Sequence, residues 1–164
     1  INQAQMTSCG LNNGPLKGEG RYPSYIACNL FTDTELMYTG GSWGQSMFIG
    51  SEFPRITQDE SDSDENKGSG YITNMTNSAT AGFKFFDFKG SHLSCISVRG
   101  YGEGVFEVRS EINGPVLGTI PVENFNYWTD VPADIELPDG TGSIYFTFRG
   151  TGHPDFAGFE LRIA

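Results

Sequence analysis

The sequence is poor in basic residues, histidine, cysteine and long apolar runs, and each shortage excludes something. Lys and Arg number 10 against 20 Asp and Glu, for a formal net charge of −10. Such a surface lacks the positive footprint that phosphate backbones attract, which excludes nucleic acid as a partner. No uninterrupted apolar run reaches the length of about 18 residues that reads as a membrane-spanning helix. The three cysteines (Cys9, Cys28, Cys95) are too few for a disulfide framework and have no zinc-like spacing. Cys9 and Cys28 flank a Gly/Pro-rich stretch where a bridge would staple a loop; whether they pair stays open. Cys95, in the apolar run HLSCISV, is expected to be a small buried residue.

His92 and His153 are the only histidines, without a second histidine at metal spacing, and both are expected beside turns and exposed. The acidic residues fall mostly in loops or on outward strand positions such as Glu107 and Glu160, a solvated face rather than a pair of catalytic carboxylates. The expectation is a protein that is not an enzyme by itself. No basic-plus-apolar leader opens the chain, INQAQMTS, so a secreted, extracellular protein would have had its signal removed or left out. Asn74-Met75-Thr76 matches the glycosylation sequon, informative only in a host that secretes through an endoplasmic reticulum.

What the sequence does have is glycine and aromatic residues: 22 Gly, 13 Phe, 7 Tyr and 2 Trp in 164 residues. That many rings bury enough area to offset chain entropy, so the chain reads as one folded domain over 1–164. Residues 8–70 are irregular, with Gly/Pro/Asn clusters and the acidic run QDESDSDENKGSG. Residues 71–164 alternate. In SIYFTFRG, Ile144, Phe146 and Phe148 share one face; in GVFEVRSE, Phe106 and Val108 oppose Glu107 and Arg109; in GFELRIA, Phe159, Leu161 and Ile163 oppose Glu160 and Arg162. Period-two alternation puts one face of a strand in a core. Turn signals recur throughout (KGS, GYGEG, INGP, LPDGTG, GTGHPD), and no long segment has helical periodicity. NLFTDTELMY reads equally as a short helix or a strand. The fold class expected is all-β, a β-sandwich (jelly roll) of two antiparallel sheets.

Two features point to ligands. Asp62, Asp64 and Asn66 stand at alternate positions, as calcium ligands do, but the glycine comes one place late for an EF-hand loop and the closing acid is missing. A solvated insertion is the reading we favour there. The second feature is aromatic residues in Gly- or Asn-rich loops: Trp43 in GGSWGQ, Tyr71 after GSG, and Phe125, Tyr127 and Trp128 in ENFNYWTD. Pyranose rings pack their C–H faces on such rings while their hydroxyls seek Asn, Asp or Gln. By this logic Tyr71 and Phe125 are ligand contacts, with Asn124, Asn126 or Asn74 beside them. Trp128, followed by the strand-like VPADIEL, is expected to be buried.

In order, GYITNMTNSATAGFKFFDF, GVFEVRSEINGPVLGTIPV, NFNYWTDVPADIELPDGTGSIYFTF and GHPDFAGFELRI resemble carbohydrate-binding module family 6, of the kind appended to family 43 glycoside hydrolases (arabinofuranosidases and xylosidases). The resemblance spans 71–164 and NQAQ at 2–5; residues 8–70 exceed the family norm. It implies a glycan cleft at the loop end of the jelly roll, with Tyr71 as one aromatic wall and Phe125 where the family usually has Trp. Asp155 falls where the family has a hydrogen-bonding Asn. Phe offers less area than Trp and no N–H, and Asp accepts but cannot donate. The family's structural calcium would find Gln3, Gln5 and Ala157 in place of its usual acids, so that site is expected to be empty or weak. The implied function is non-catalytic binding of a plant cell-wall polysaccharide (xylan, arabinoxylan or a related β-glycan) by a monomer tethered to a glycoside hydrolase. The alternative is a structural accessory domain that packs on a family 43-type catalytic domain.

Overall fold

The computed structural model describes residues 15–32, 54–58 and 70–163. Trp43, Asp62, Asp64, Asn66, Gln3, Gln5 and Cys9 lie outside the described residues, as does most of the irregular 8–70 region.

Twelve strands are described: β1 (Leu16–Lys17), β2 (Gly20–Pro23), β3 (Asn29–Phe31), β4 (Arg55–Thr57), β5 (Tyr71–Thr73), β6 (Thr80–Phe88), β7 (Ser91–Gly100), β8 (Gly102–Arg109), β9 (Gly118–Val122), β10 (Phe125–Glu136), β11 (Gly140–Gly152) and β12 (Asp155–Ile163). They form two six-stranded sheets. One runs β1-β6-β11-β8-β9, with β3 also on β6; the other runs β10-β7-β12-β5-β4, with β2 also on β12. The two sheets of the expected sandwich are present, and every pairing is antiparallel except β1 with β6. Of NLFTDTELMY, Asn29–Phe31 is strand. Proline marks the edges: Pro121 in β9 and Pro132 in β10 sit on edge strands, where a missing N–H costs no ladder bond.

The alternation read from the sequence fills the space between the sheets. Ile144, Phe146, Phe148, Phe106, Val108, Phe159 and Leu161 are all buried, and eight phenylalanines are fully so. Phe83, Phe146, Phe156 and Phe159 meet edge-on or tilted, with centroids 4.9 to 6.2 Å apart. Most of the phenylalanine therefore serves the core. Two details depart from simple alternation. Ile163, at the end of β12, runs out of the core and is exposed. In β6 the backbone of Phe85 takes φ 74°, and the β6–β11 register slips between Gly142 and Ile144. This bulge resets the parity of FKFFDF, so Phe83, Phe86 and Phe88 all face inward.

Tyr145 and Thr147, on the outward side of β11, are also buried. Tyr145 lies across Gly82, where any side chain would collide with its ring, and Thr147 shares a 2.8 Å hydrogen bond with Thr80. Arg109 and Arg149 continue that face, both paired with Glu107. With Phe31, Ser78, Ile112 and Asn113 they surround a recess of about 320 Å³.

Cys28 is disulfide-bonded, and Cys95 is a buried free thiol. Cys9, the partner weighed for Cys28, is outside the described residues. His92 departs from expectation: it lies within β7, not in a loop, with its ring nitrogen 2.9 Å from Asp134.

Candidate functional site

Chain crossings between the sheets gather the candidate residues at one end of the sandwich. β7 passes to β8 through Tyr101 alone, and β11 passes to β12 through His153 and Pro154. The His153 N–H donates to the Tyr101 carbonyl at 2.6 Å, and the Met75 N–H donates to the Pro154 carbonyl at 3.1 Å. β10 starts at this end, with Phe125 opposite Gly100, and β12 starts with Asp155 opposite Arg99.

Here the structure joins Tyr71, Thr73, Arg99, Trp128 and Asp155. The Tyr71 and Trp128 rings meet edge-on, centroids 5.1 Å apart at 70°. The Arg99 guanidinium lies in the angle between them, 4.2 Å from the Trp128 ring centre and 5.2 Å from that of Tyr71. Such cation–π contacts draw on the negative faces of both rings. Arg99 Nη2 also reaches Asp155 Oδ2 at 3.5 Å, while the Thr73 hydroxyl donates to Asp155 Oδ1 at 2.7 Å. Burial pushes the Asp155 carboxyl above the usual aspartate range, against the pull of Thr73 and Arg99.

Each expected residue has a definite place. Tyr71 is only 8% exposed, so its ring is braced by Trp128 and Arg99 and is not an open wall. Phe125 is half-buried and packs against the edge of the core. Asn124 is exposed, but its Oδ1 accepts the Gly102 N–H at 2.8 Å, leaving its amide nitrogen to donate. Asn74 adopts φ 62°, a left-handed conformation that asparagine tolerates. Ala157 lies in β12. No group of three or more potential metal-ligating side chains occurs among the described residues.

Trp128 reverses the sequence expectation of burial: it is 37% exposed. The cause is a register shift. Phe125 pairs with Gly100 and Thr129 with Val98, so β10 advances four residues while β7 advances two. The extra chain on this edge strand turns Tyr127 and Trp128 out of the ladder. Arg99 is the residue that the sequence reading missed, because a charged side chain near a strand end reads as solvated.

No family model matches the chain. A xylosidase/arabinosidase of Thermoclostridium stercorarium is 52% identical over 163 residues, a match covering 98% of this chain and 33% of that protein. The chain thus spans about a third of the length of the curated relative it matches. A family 6 module from Clostridium stercorarium, solved with cellobiose, superimposes with a TM-score of 0.68 at 18% identity, covering 93% of this chain and all of that one. A family 43 arabinoxylan arabinofuranohydrolase from Bacillus subtilis, solved with cellotetraose, gives 0.65 at 16% identity, covering 94% of this chain and 29% of that one. The resemblance read from the motifs is borne out in the architecture: the chain has the β-sandwich fold of the family 6 carbohydrate-binding modules.

Proposed function

We propose that this chain is a non-catalytic carbohydrate-binding module that holds an attached glycoside hydrolase at a plant cell-wall polysaccharide, xylan or arabinoxylan before other β-glycans, outside the cell. The observation that carries the reading is Trp128, a partly exposed indole fixed by Arg99 at the loop end of a family 6 sandwich. Sugar rings stack on Trp128 and on the open part of Phe125, while Asp155 and the Asn124 amide take hydroxyls. Tyr71 supports the platform from beneath. The xylan preference is supported by the xylosidase/arabinosidase relative, and the tether by the share of that relative that the chain spans. Tethering raises the local concentration of enzyme at its substrate without new chemistry.

One observation favours the rival reading of a structural domain that packs on a catalytic partner. Arg99 fills the angle between Tyr71 and Trp128, so a sugar cannot be sandwiched there. Affinity gel electrophoresis of the 164-residue chain on arabinoxylan, xylan, mixed-linkage glucan and arabinan separates the two. Retardation on xylan or arabinoxylan supports the binding module; unretarded migration on all four supports the docking domain.

A further inference from the structure

Three large aromatic side chains among the described residues are left open to solvent: Tyr101 at 70%, Tyr127 at 78% and Trp128 at 37%. All three lie at the end of the sandwich where the candidate site sits. Scattered exposed apolar residues need no explanation, but three rings gathered at one end do.

Tyr101 is the most informative of them. It is the whole connection between β7 and β8, and its backbone is fixed on both sides. Its carbonyl accepts the His153 N–H, and the N–H of the next residue, Gly102, is held by Asn124. Gly100 before it takes φ 102°, a conformation suited to glycine, and a side chain on Gly102 would overlap the Pro154 ring. The fold thus constrains the glycines on either side and makes no packing demand on the Tyr101 ring, whose only described ring contact is an edge-on approach to His153 at 6.3 Å. A rigid backbone presenting a bare phenol loses little entropy when that ring takes a ligand. Tyr101 is also two residues from Arg99, the clamp on Trp128.

We infer that Tyr101 is a second stacking platform, making the site one for a neutral oligosaccharide of several rings laid across the sandwich end, not for a single sugar. This rests on the proposed carbohydrate-binding function and adds to it a residue and a ligand length. The phenol face takes the C–H side of a sugar one or more units away from the ring on Trp128, and the hydroxyl exchanges hydrogen bonds with the glycan.

The test is calorimetry of the full chain against xylobiose, xylotetraose, cellobiose and cellotetraose, for wild type, Tyr101→Ala, Tyr101→Phe and Trp128→Ala. On the tetrasaccharide the wild type binds, Tyr101→Ala is expected to weaken affinity about tenfold, with the disaccharide changed less than about twofold. Tyr101→Phe keeps most of the affinity, and Trp128→Ala loses binding at both lengths. Tetrasaccharide affinity unchanged in Tyr101→Ala, or equal loss at both lengths, overturns the inference while leaving the binding function intact. A wild type that binds none of the four sugars overturns the binding function, and the inference with it.

Discussion

Replacing Arg99 by Met keeps most of the aliphatic stem and removes the guanidinium that joins both rings to Asp155. Two kinds of interaction disappear. The contacts with Trp128 at 4.2 Å and Tyr71 at 5.2 Å are cation–π interactions at a partly exposed site, together about 1 kcal/mol. The contact with Asp155 is long, at 3.5 Å, but both side chains are mostly covered, at 25% and 17% exposure. At that length it contributes less than a well-formed charged hydrogen bond, about 1 kcal/mol. Arg99→Met should therefore cost about 2 kcal/mol at pH 7, read from urea unfolding followed by circular dichroism.

The second half of that loss depends on pH. The Asp155 pKa is raised by burial and held down by Thr73 and Arg99, so removing Arg99 raises it further. Above the pKa of the variant, both proteins carry the carboxylate and the ion-pair loss is complete. Below the raised wild-type pKa, both carry the neutral acid and that part vanishes. The penalty should shrink toward about 1 kcal/mol as the pH falls through the wild-type value, leaving the ring contacts. The same variant in an Asp155→Asn background should show the smaller penalty at every pH. An Arg99→Met protein as stable as wild type at pH 7, or a penalty independent of pH, would refute the clamp.

Two further outcomes follow from the fold. Phe146→Ala removes the ring that meets Phe83, Phe156 and Phe159 in the buried core and should cost about 3–5 kcal/mol in the same unfolding assay. Cys95, whose pKa is raised by burial and by the nearby Asp130, should react with iodoacetamide at pH 8 far more slowly in the native protein than after unfolding in urea.

The core was legible because strands announce themselves by local alternation: Ile144, Phe146 and Phe148 face inward as their spacing requires. Bulges are not legible in that way. The left-handed Phe85 lets FKFFDF bury three rings on one side, and the slip in β10 turns Trp128 outward where its strand context predicted burial. Arg99 was invisible for a different reason. Its partners Tyr71, Trp128 and Asp155 come from three other strands, and only the register of β7 between β10 and β12 brings them together. Local patterns thus singled out Tyr71 and Phe125, and the family resemblance added Asp155 at the same loop end, while which ring stands open was decided by pairing between distant segments.

The proposed function is tested most directly by calorimetric titration of soluble arabinoxylan into the wild-type chain and into Trp128→Ala. We expect saturable binding by the wild type and at least a roughly tenfold loss in the variant, with circular dichroism unchanged, since Trp128 would supply the main stacking face. Wild-type binding that survives loss of the Trp128 ring would contradict the site, and a wild type that takes up no glycan would contradict the function.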